Sequence, residues 1–298
     1  MKTLREALAA PGVLISDGGL GTELQKLGIG SALGEEWNLA YPERIQGVHQ
    51  RYLEAGSRLI TANTFSANPL TLARHGLAGK MAEFNRAGVA IARAAVAGRG
   101  WVAGDVGPCG DLLKPLGKMT LPELEESLRA QIGVLLEAGV DGILIETMTA
   151  LAEVRAGIQV ARELGAPCVI ATCAFDPFKV GPRTNMGVSP EQFAKAAVEA
   201  GADAIGANCG KLATMADFNG LIDRFRAVTD LPLMIQPNGG TPTLQGGKFV
   251  YTITPEAMGE LLAKIAERAK VVGGCCGTNP EHIRAFRERL PAGSIEPA

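Results

Sequence analysis

Short, unbroken apolar runs rich in valine and isoleucine recur along the chain. Each is followed by a glycine or polar turn and then by a stretch whose apolar residues repeat at helical spacing. Eight such runs occur, at residues 13–16, 58–62, 101–104, 142–145, 168–172, 204–206, 233–235 and 271–273. Runs this short and this uniformly apolar suit parallel strands buried on both faces. The amphipathic stretches between them include residues 43–55, 122–138, 152–164, 190–200, 216–228 and 255–269. Pro122, Pro190, Pro255 and Pro280 fall where first helical turns are expected, and Thr254 and Asn279 stand immediately before two of them as caps. Gly56, Gly139, Gly165 and Gly201 follow last turns, where a left-handed residue ends a helix most cheaply.

Eight strand-and-helix units in 298 residues predict an α/β fold in the form of one (β/α)8 TIM barrel spanning residues 1–298. An open, doubly wound sheet is the architectural alternative, although it usually has fewer units per domain. Residues 68–80 and 239–250 read as longer excursions. The second, with Gly239, Gly240, Gly246 and Gly247, is a candidate mobile rim loop.

The composition, 47% hydrophobic and 20% charged, is that of a globular protein, and a net charge of −2 gives no basic field for nucleic acid. Arg5 and Glu6 interrupt the start of the chain before any sustained apolar run, unlike a signal peptide, and no apolar run is long enough to span a membrane. Six cysteines without a secretory signal favour a reducing cytoplasmic setting, with thiols that are reactive or metal-bound rather than paired in disulfides.

In a barrel of this kind the chemistry lies at the C-terminal strand ends. Read in order, those ends are Asp17-Gly18-Gly19, Asn63-Thr64-Phe65, Asp105 to Pro108, Glu146-Thr147, Cys173, Asn208-Cys209-Gly210, Gln236-Pro237-Asn238 and Cys275-Cys276-Gly277. Cys209, Cys275 and Cys276 are the strongest group. Three soft thiolates from units six and eight favour zinc and leave a fourth position open, for which Asn238 is a candidate weak ligand. The competing reading takes these cysteines as small buried hydrophobes, and it is preferred for Cys109, Cys168 and Cys173. A vicinal Cys275–Cys276 disulfide would be strained. His49, His75 and His282 fall away from the strand ends and read as surface residues.

The segments Asp17-Gly-Gly-Leu-Gly-Thr-Glu-Leu24, Ala62-Asn-Thr-Phe65, Gly104-Asp-Val-Gly-Pro108, Asp141-Gly-Ile-Leu-Ile-Glu-Thr147, Gly206-Ala-Asn-Cys-Gly210, Gln236-Pro-Asn-Gly-Gly240 and Gly273-Gly-Cys-Cys-Gly-Thr278 together resemble the homocysteine S-methyltransferase family over the whole chain. The resemblance implies zinc on Cys209, Cys275 and Cys276, with Asn238 as weak fourth ligand. It implies a homocysteine pocket in which Asp17 and Glu146 receive the ammonium and serve the reaction, backbone near Gly18 and Gly19 meets the carboxylate, and Asn63 and Thr64 add contacts. A zwitterion needs anions at one end and N–H donors at the other. On the bland reading Asp17 is a turn cap and Glu146 a salt-bridge partner.

The product implied is methionine, with no tightly bound organic cofactor. Betaine or another onium compound, S-methylmethionine, or a methyl-corrinoid are the donors implied. The central region looks most like the homocysteine-binding module of cobalamin-dependent methionine synthase, so a corrinoid, if it is the donor, would arrive on a separate protein. Phe65, Trp37, Phe175 and Phe178 are candidates for an onium-binding wall, though each also suits packing. Two competing readings are a demethylase or corrinoid-coupled subunit acting on another methylated compound or thiol, and a non-catalytic binder of zinc or homocysteine.

Overall fold

The structure, a computed structural model, describes residues 2–28, 33–240, 242–245 and 248–296. Its strands, in chain order, are β1 (Leu14–Ile15), β2 (Leu59–Thr61), β3 (Trp101–Val106), β4 (Gly142–Met148), β5 (Val169–Cys173), β6 (Ala204–Asn208), β7 (Leu233–Gln236), β8 (Thr243–Gln245), β9 (Lys248–Val250) and β10 (Val271–Val272). All but β8 and β9 pair in parallel, in the order β1-β10-β7-β6-β5-β4-β3-β2. The two ends of that order meet. Arg58 N–H donates to the Ile15 carbonyl at 2.8 Å, and Asp17 N–H donates to the Leu59 carbonyl at 3.1 Å. A ring with neighbours in sequence order is a (β/α)8 barrel, and the open doubly wound sheet is excluded.

The eight strands are buried throughout their apolar runs because both faces are covered. Inward residues fill the barrel, while outward ones meet the helices Pro42–Ala55, Met81–Val96, Leu121–Glu137, Leu151–Glu163, Pro190–Ala200, Met215–Arg226, Pro255–Ala266 and Pro280–Arg287. The helix ends follow the punctuation in the sequence. Thr254 Oγ1 accepts the Ala257 N–H at 3.3 Å, and Asn279 Oδ1 accepts from Glu281 and His282. Gly56, Gly139, Gly165 and Gly201 adopt φ from 77° to 120°.

Several features differ from the sequence expectation. β3, β4 and β6 run two or three residues further than their apolar cores, because backbone pairing continues beneath polar side chains, with Asp105 opposite Leu144 and Asn208 opposite Gln236. The short helix Leu4–Ala9, capped by Thr3 and Glu6, packs Leu4, Ala7 and Leu8 against Leu14, Leu59, Trp101, Leu144 and Met234 and closes the N-terminal end of the barrel. Each large side chain buried there contributes about 1.5–3 kcal/mol.

His49 and His282 are not surface residues. His282 reaches back to the Asn279 N–H at 3.1 Å as part of a capping box, and His49 lies on the buried stripe of its helix with Ile45, Val48 and Tyr52. Burial pulls the His49 imidazole down to about 4 and keeps it neutral. His75 is exposed. Within the candidate rim loop, β8 and β9 form an antiparallel pair, while Thr241, Gly246 and Gly247 lie outside the described residues. No helix among the described residues is long and apolar enough to cross a membrane.

Gly206, in the middle of β6, permits an approach that no other residue would. A Cβ there would lie 1.7 Å from the Met234 carbonyl oxygen of β7. Gly206→Ala is therefore expected to destabilise the barrel by about 3 kcal/mol, at the upper end of overpacking costs. Urea unfolding measures it, and an unchanged midpoint would contradict this packing.

Candidate active site

Three thiols converge at the barrel mouth. Cys209 follows β6 directly with φ at 56°, in the left-handed region that non-glycine residues enter only when the surroundings demand it. Its N–H donates to the Gln236 carbonyl at 3.3 Å, which turns the chain across the end of β7. Cys275 and Cys276 follow β10 through Gly273 and Gly274, and this turn is pinned on both sides. Gly274 N–H donates to the Asp17 carbonyl at 2.9 Å, Cys275 N–H to the Pro237 carbonyl at 2.8 Å, and Gly239 N–H to the Cys276 carbonyl at 2.8 Å. A Cβ on Gly273 would meet Ser16 Oγ at 2.2 Å, so only glycine lets the turn pass β1.

The Sγ atoms of Cys209, Cys275 and Cys276 all lie within 4.8 Å of one another. The thiols of Cys275 and Cys276 hydrogen-bond to Cys209, which draws the Cys209 pKa far below its ordinary value and raises those of its two donors. Asn238 completes the group. Its Nδ2 donates to the Gly210 carbonyl at 2.8 Å and approaches Cys209 Sγ at 3.6 Å, while its Oδ1 is buried and has no hydrogen-bond partner. Three thiols and one unsatisfied carbonyl-type oxygen form a donor set that fits a thiophilic metal ion with one weak, replaceable ligand. Cys109, Cys168 and Cys173 are buried elsewhere, and burial pushes the Cys109 and Cys168 thiols up to about 11 and about 12.

Beside the thiols lies a cavity of about 320 Å3. Asp17, Gly18, Gly19, Asn63, Glu146, Cys209, Cys275 and Cys276 all line it. Thr64 does not. Its hydroxyl donates to the Asp105 carbonyl at 2.9 Å and accepts the Asp105 N–H at 3.1 Å, pinning β2 to β3 behind the cavity wall. Asn63 Nδ2 donates to the Gly34 carbonyl at 2.9 Å and to Asn38 Oδ1 at 2.8 Å. The Gly19 N–H is already given to Thr278 Oγ1 at 3.1 Å, which leaves Gly18 and the first turn of the helix Leu20–Lys26 as free backbone donors there.

Of the four aromatic candidates, only Phe65 lines the cavity. Trp37 lies against Tyr41 and Arg44, Phe175 packs with Phe193 and Phe225 in the core, and Phe178 is exposed.

The carboxyls are more numerous than the sequence reading anticipated. Asp17 accepts from the Thr61 N–H at 2.8 Å and the Thr61 hydroxyl at 3.0 Å, yet burial outweighs both and raises it to about 7. Glu146 sits at a β-bulge, where β4 inserts one extra residue against β5 and the next residue, Thr147, takes φ 60°. The bulge aims Glu146 into the cavity.

Asn208 holds Glu146 in place. Its Nδ2 donates to Glu146 Oε2 at 3.1 Å and to Thr147 Oγ1 at 2.7 Å, and its Oδ1 accepts the Thr147 N–H and the Thr172 hydroxyl. Burial, then the Asp17 charge and then Cys209, raise Glu146 to about 8. Asp105 hydrogen-bonds to Glu146 and is raised well above the carboxylate range by burial and by that neighbour, so the pair shares a proton. Glu35, accepting the Ser66 N–H, is also buried and raised. Among the described residues, no lysine, arginine or histidine lines the cavity.

Sequence reasoning assigned no role to Asp105, Asn208 or Glu35. The first two stand at strand ends, the only signal they carried, and Glu35 sits in a loop with none.

The raised Asp17 pKa fixes the direction of a pH effect. Between about 4 and about 7 the folded chain binds a proton at Asp17 that the unfolded chain has lost, so this contribution to stability is full at low pH and declines as pH rises through 7. The ligand-free protein's urea midpoint is expected to fall more steeply over this window than that of Asp17→Asn. Equal slopes would contradict the assignment.

The family model for homocysteine S-methyltransferase matches residues 14–290, and the chain belongs to that family. Methionine synthase of Mycobacterium leprae (strain TN) is 30% identical over 289 residues, covering 91% of this chain but 24% of that protein. The chain thus spans about a quarter of the mycobacterial methionine synthases it matches. S-methylmethionine–homocysteine S-methyltransferase BHMT2 of Rattus norvegicus is 30% identical over 311 residues, covering 97% of this chain and 81% of that one. The metallated form of the homocysteine methyltransferase MmuM from Escherichia coli shares the fold, with a TM-score of 0.78 at 23% identity over 96% of this chain and 99% of that one.

Proposed function

We propose that this protein moves a methyl group from a small onium donor to the sulfur of homocysteine, giving methionine, with zinc held by Cys209, Cys275 and Cys276. The observation that carries this reading is the juxtaposition of three thiols within 4.8 Å, an unsatisfied Asn238 Oδ1 and a carboxyl-lined cavity of amino-acid size.

Asp17 and Glu146 receive the substrate ammonium. Both are pushed up because buried carboxyls lack a counter-charge, and an entering ammonium supplies one, so they ionise as it binds. The Gly18 N–H and the first-turn N–H groups after Gly19 face the carboxylate end. Asn208 fixes the Glu146 carboxylate, and with it the position from which the substrate's side chain reaches the thiols. Cys209, Cys275 and Cys276 would hold the metal, with Asn238 as a weak and replaceable fourth ligand beside the cavity. The chemistry a bound zinc supplies here is a dication that lowers the thiol pKa and keeps the sulfur a thiolate at neutral pH. The thiol proton leaves to solvent. The sulfur lone pair forms the new S–CH3 bond as the bond between methyl and onium atom breaks, and its electron pair neutralises the leaving group.

The charge of the cavity favours a cationic donor, since four carboxyls line it, three of them buried, and no basic side chain among the described residues does. The likeness to one quarter of methionine synthase supports a second reading, in which a methyl-corrinoid on a separate protein is the donor. Free thiols at the site suit a cytoplasmic setting. The test is to offer the zinc-loaded protein homocysteine with S-methylmethionine, betaine or methylcobalamin in turn and to measure methionine by mass spectrometry. Methionine from an onium donor is expected. Homocysteine binding without product from any donor would overturn the proposal in favour of a binding subunit.

A further inference from the structure

The end of the barrel opposite the thiols carries a second cavity, of about 550 Å3. It opens where β2 and β3 begin and where the helix Pro280–Arg287 ends, and Arg58, Arg99, Arg287 and Glu296 line it. Three guanidiniums from three separate segments thus face one space, Arg58 half-buried and the other two exposed. Glu296 does not neutralise them. It is 2% exposed, and its carboxylate already pairs with Lys2 Nζ at 2.8 Å and Lys270 Nζ at 3.9 Å. Among the described residues, no carboxylate pairs with any of the three arginines.

Two of the arginines also cap helices. Arg58 Nη1 donates to the Leu53 carbonyl at 3.3 Å and to the Ser57 carbonyl at 2.8 Å, while Arg99 donates from Nε to the Val96 carbonyl at 3.4 Å and from Nη2 to the Ala95 carbonyl at 3.2 Å. Bonds to the last carbonyls of two helices account for where these side chains lie. They do not account for Arg287. Its side chain has no hydrogen-bond or ion-pair partner among the described residues, and it occupies room that a side chain at residue 56 would take, since a Cβ on Gly56 would lie 2.4 Å from Arg287 Cδ. Nor do they account for three like charges meeting without a counter-ion. Burial, and then the charges of Arg287 and Arg99, pull the Arg58 guanidinium below its ordinary value, a strain that an anion between them relieves.

The capping bonds leave Arg58 Nε and Nη2, Arg99 Nη1 and the whole Arg287 fork as donors. A carboxylate is planar and offers two oxygens. A phosphate is tetrahedral and offers three, one for each guanidinium, with the double negative charge that three cations favour.

We propose that Arg58, Arg99 and Arg287 form an anion site on the N-terminal face of the barrel that takes a phosphate dianion, either free or as the monoester of a small molecule. The site lies across the length of the strands from the thiols, so it stands apart from the methyl-transfer reading, and its occupant is neither acceptor nor donor.

Calorimetric titration of the zinc-loaded protein at constant ionic strength and about pH 8, where a phosphate monoester is fully dianionic, tests this with inorganic phosphate, AMP, adenosine and succinate as probes. One phosphate dianion is expected to bind per chain, at least about tenfold more tightly than the succinate dianion. AMP binding more tightly than inorganic phosphate assigns the monoester as the source, and equal affinities assign free phosphate. Arg99→Gln and Arg287→Gln are each expected to weaken phosphate or AMP at least about tenfold, the scale of a lost charged hydrogen bond. Arg58 is left in place because it caps a helix from a half-buried position. Arg284→Gln removes the same charge from the same helix as Arg287 but does not line the cavity, and it should leave the affinity within twofold. The proposal is overturned if neither phosphate nor AMP binds, if succinate or adenosine binds as tightly, if Arg99→Gln and Arg287→Gln bind as the wild type does, or if Arg284→Gln weakens binding as much as they do.

Discussion

Replacing Cys209 or Cys276 with alanine is expected to remove bound zinc and to lower turnover by at least about a thousandfold, the scale on which losing an activated nucleophile is felt. Each thiol sits beyond a strand end rather than in the core, so the variants should keep the barrel's far-UV circular dichroism. The loss follows from geometry. With three Sγ atoms inside 4.8 Å, removing one leaves two thiols and Asn238, a set too weak to hold zinc against water. Metal analysis of the purified variants, set beside methionine formation, checks the two effects together. Full turnover in a zinc-free variant would sink the mechanism.

The second large effect falls on Glu146. Glu146→Gln keeps an oxygen to accept from Asn208 Nδ2 but loses the charge proposed to meet the substrate ammonium. A hydrogen bond to a charged group contributes about 1.5–3 kcal/mol, so KM for homocysteine is expected to rise roughly 10- to 100-fold. Zinc content should stay at the wild-type level, because Glu146 reaches the thiols only through Asn208, which approaches Cys275 Sγ at 3.8 Å. Steady-state kinetics at saturating donor separate the terms. A homocysteine KM unchanged from the wild type would assign Glu146 a structural role as the hydrogen-bonded partner of Asp105.

The barrel was legible because its strands are apolar on both faces, so Val, Ile and Leu run unbroken until the chain reaches the mouth. Polarity there is directional, and that is why Asp17, Glu146, Cys209 and Cys275 could be placed on one rim from sequence. What escaped depends on relations that a run of letters does not contain. Asn63 and Thr64 are adjacent polar residues at one strand end, and only the backbone's course decides that Asn63 faces the cavity while Thr64 pins β3. The bulge that aims Glu146 is a register slip between β4 and β5, and it leaves no mark in the composition of β4.

Asn208 looked like a spacer before Cys209, yet its carboxamide bonds Glu146, Thr147 and Thr172 at once. Leu4–Ala9 is too short for periodicity to reveal, although it seals the barrel floor. His49 read as a surface residue because a lone histidine in a helix carries no sign of which stripe it occupies.

The most direct test of the central claim is X-ray absorption at the zinc edge on the metal-loaded protein before and after homocysteine. The account predicts three sulfurs and one oxygen before, from Cys209, Cys275, Cys276 and Asn238, and four sulfurs after. A first shell that stays at three sulfurs and one oxygen when homocysteine is saturating would contradict it.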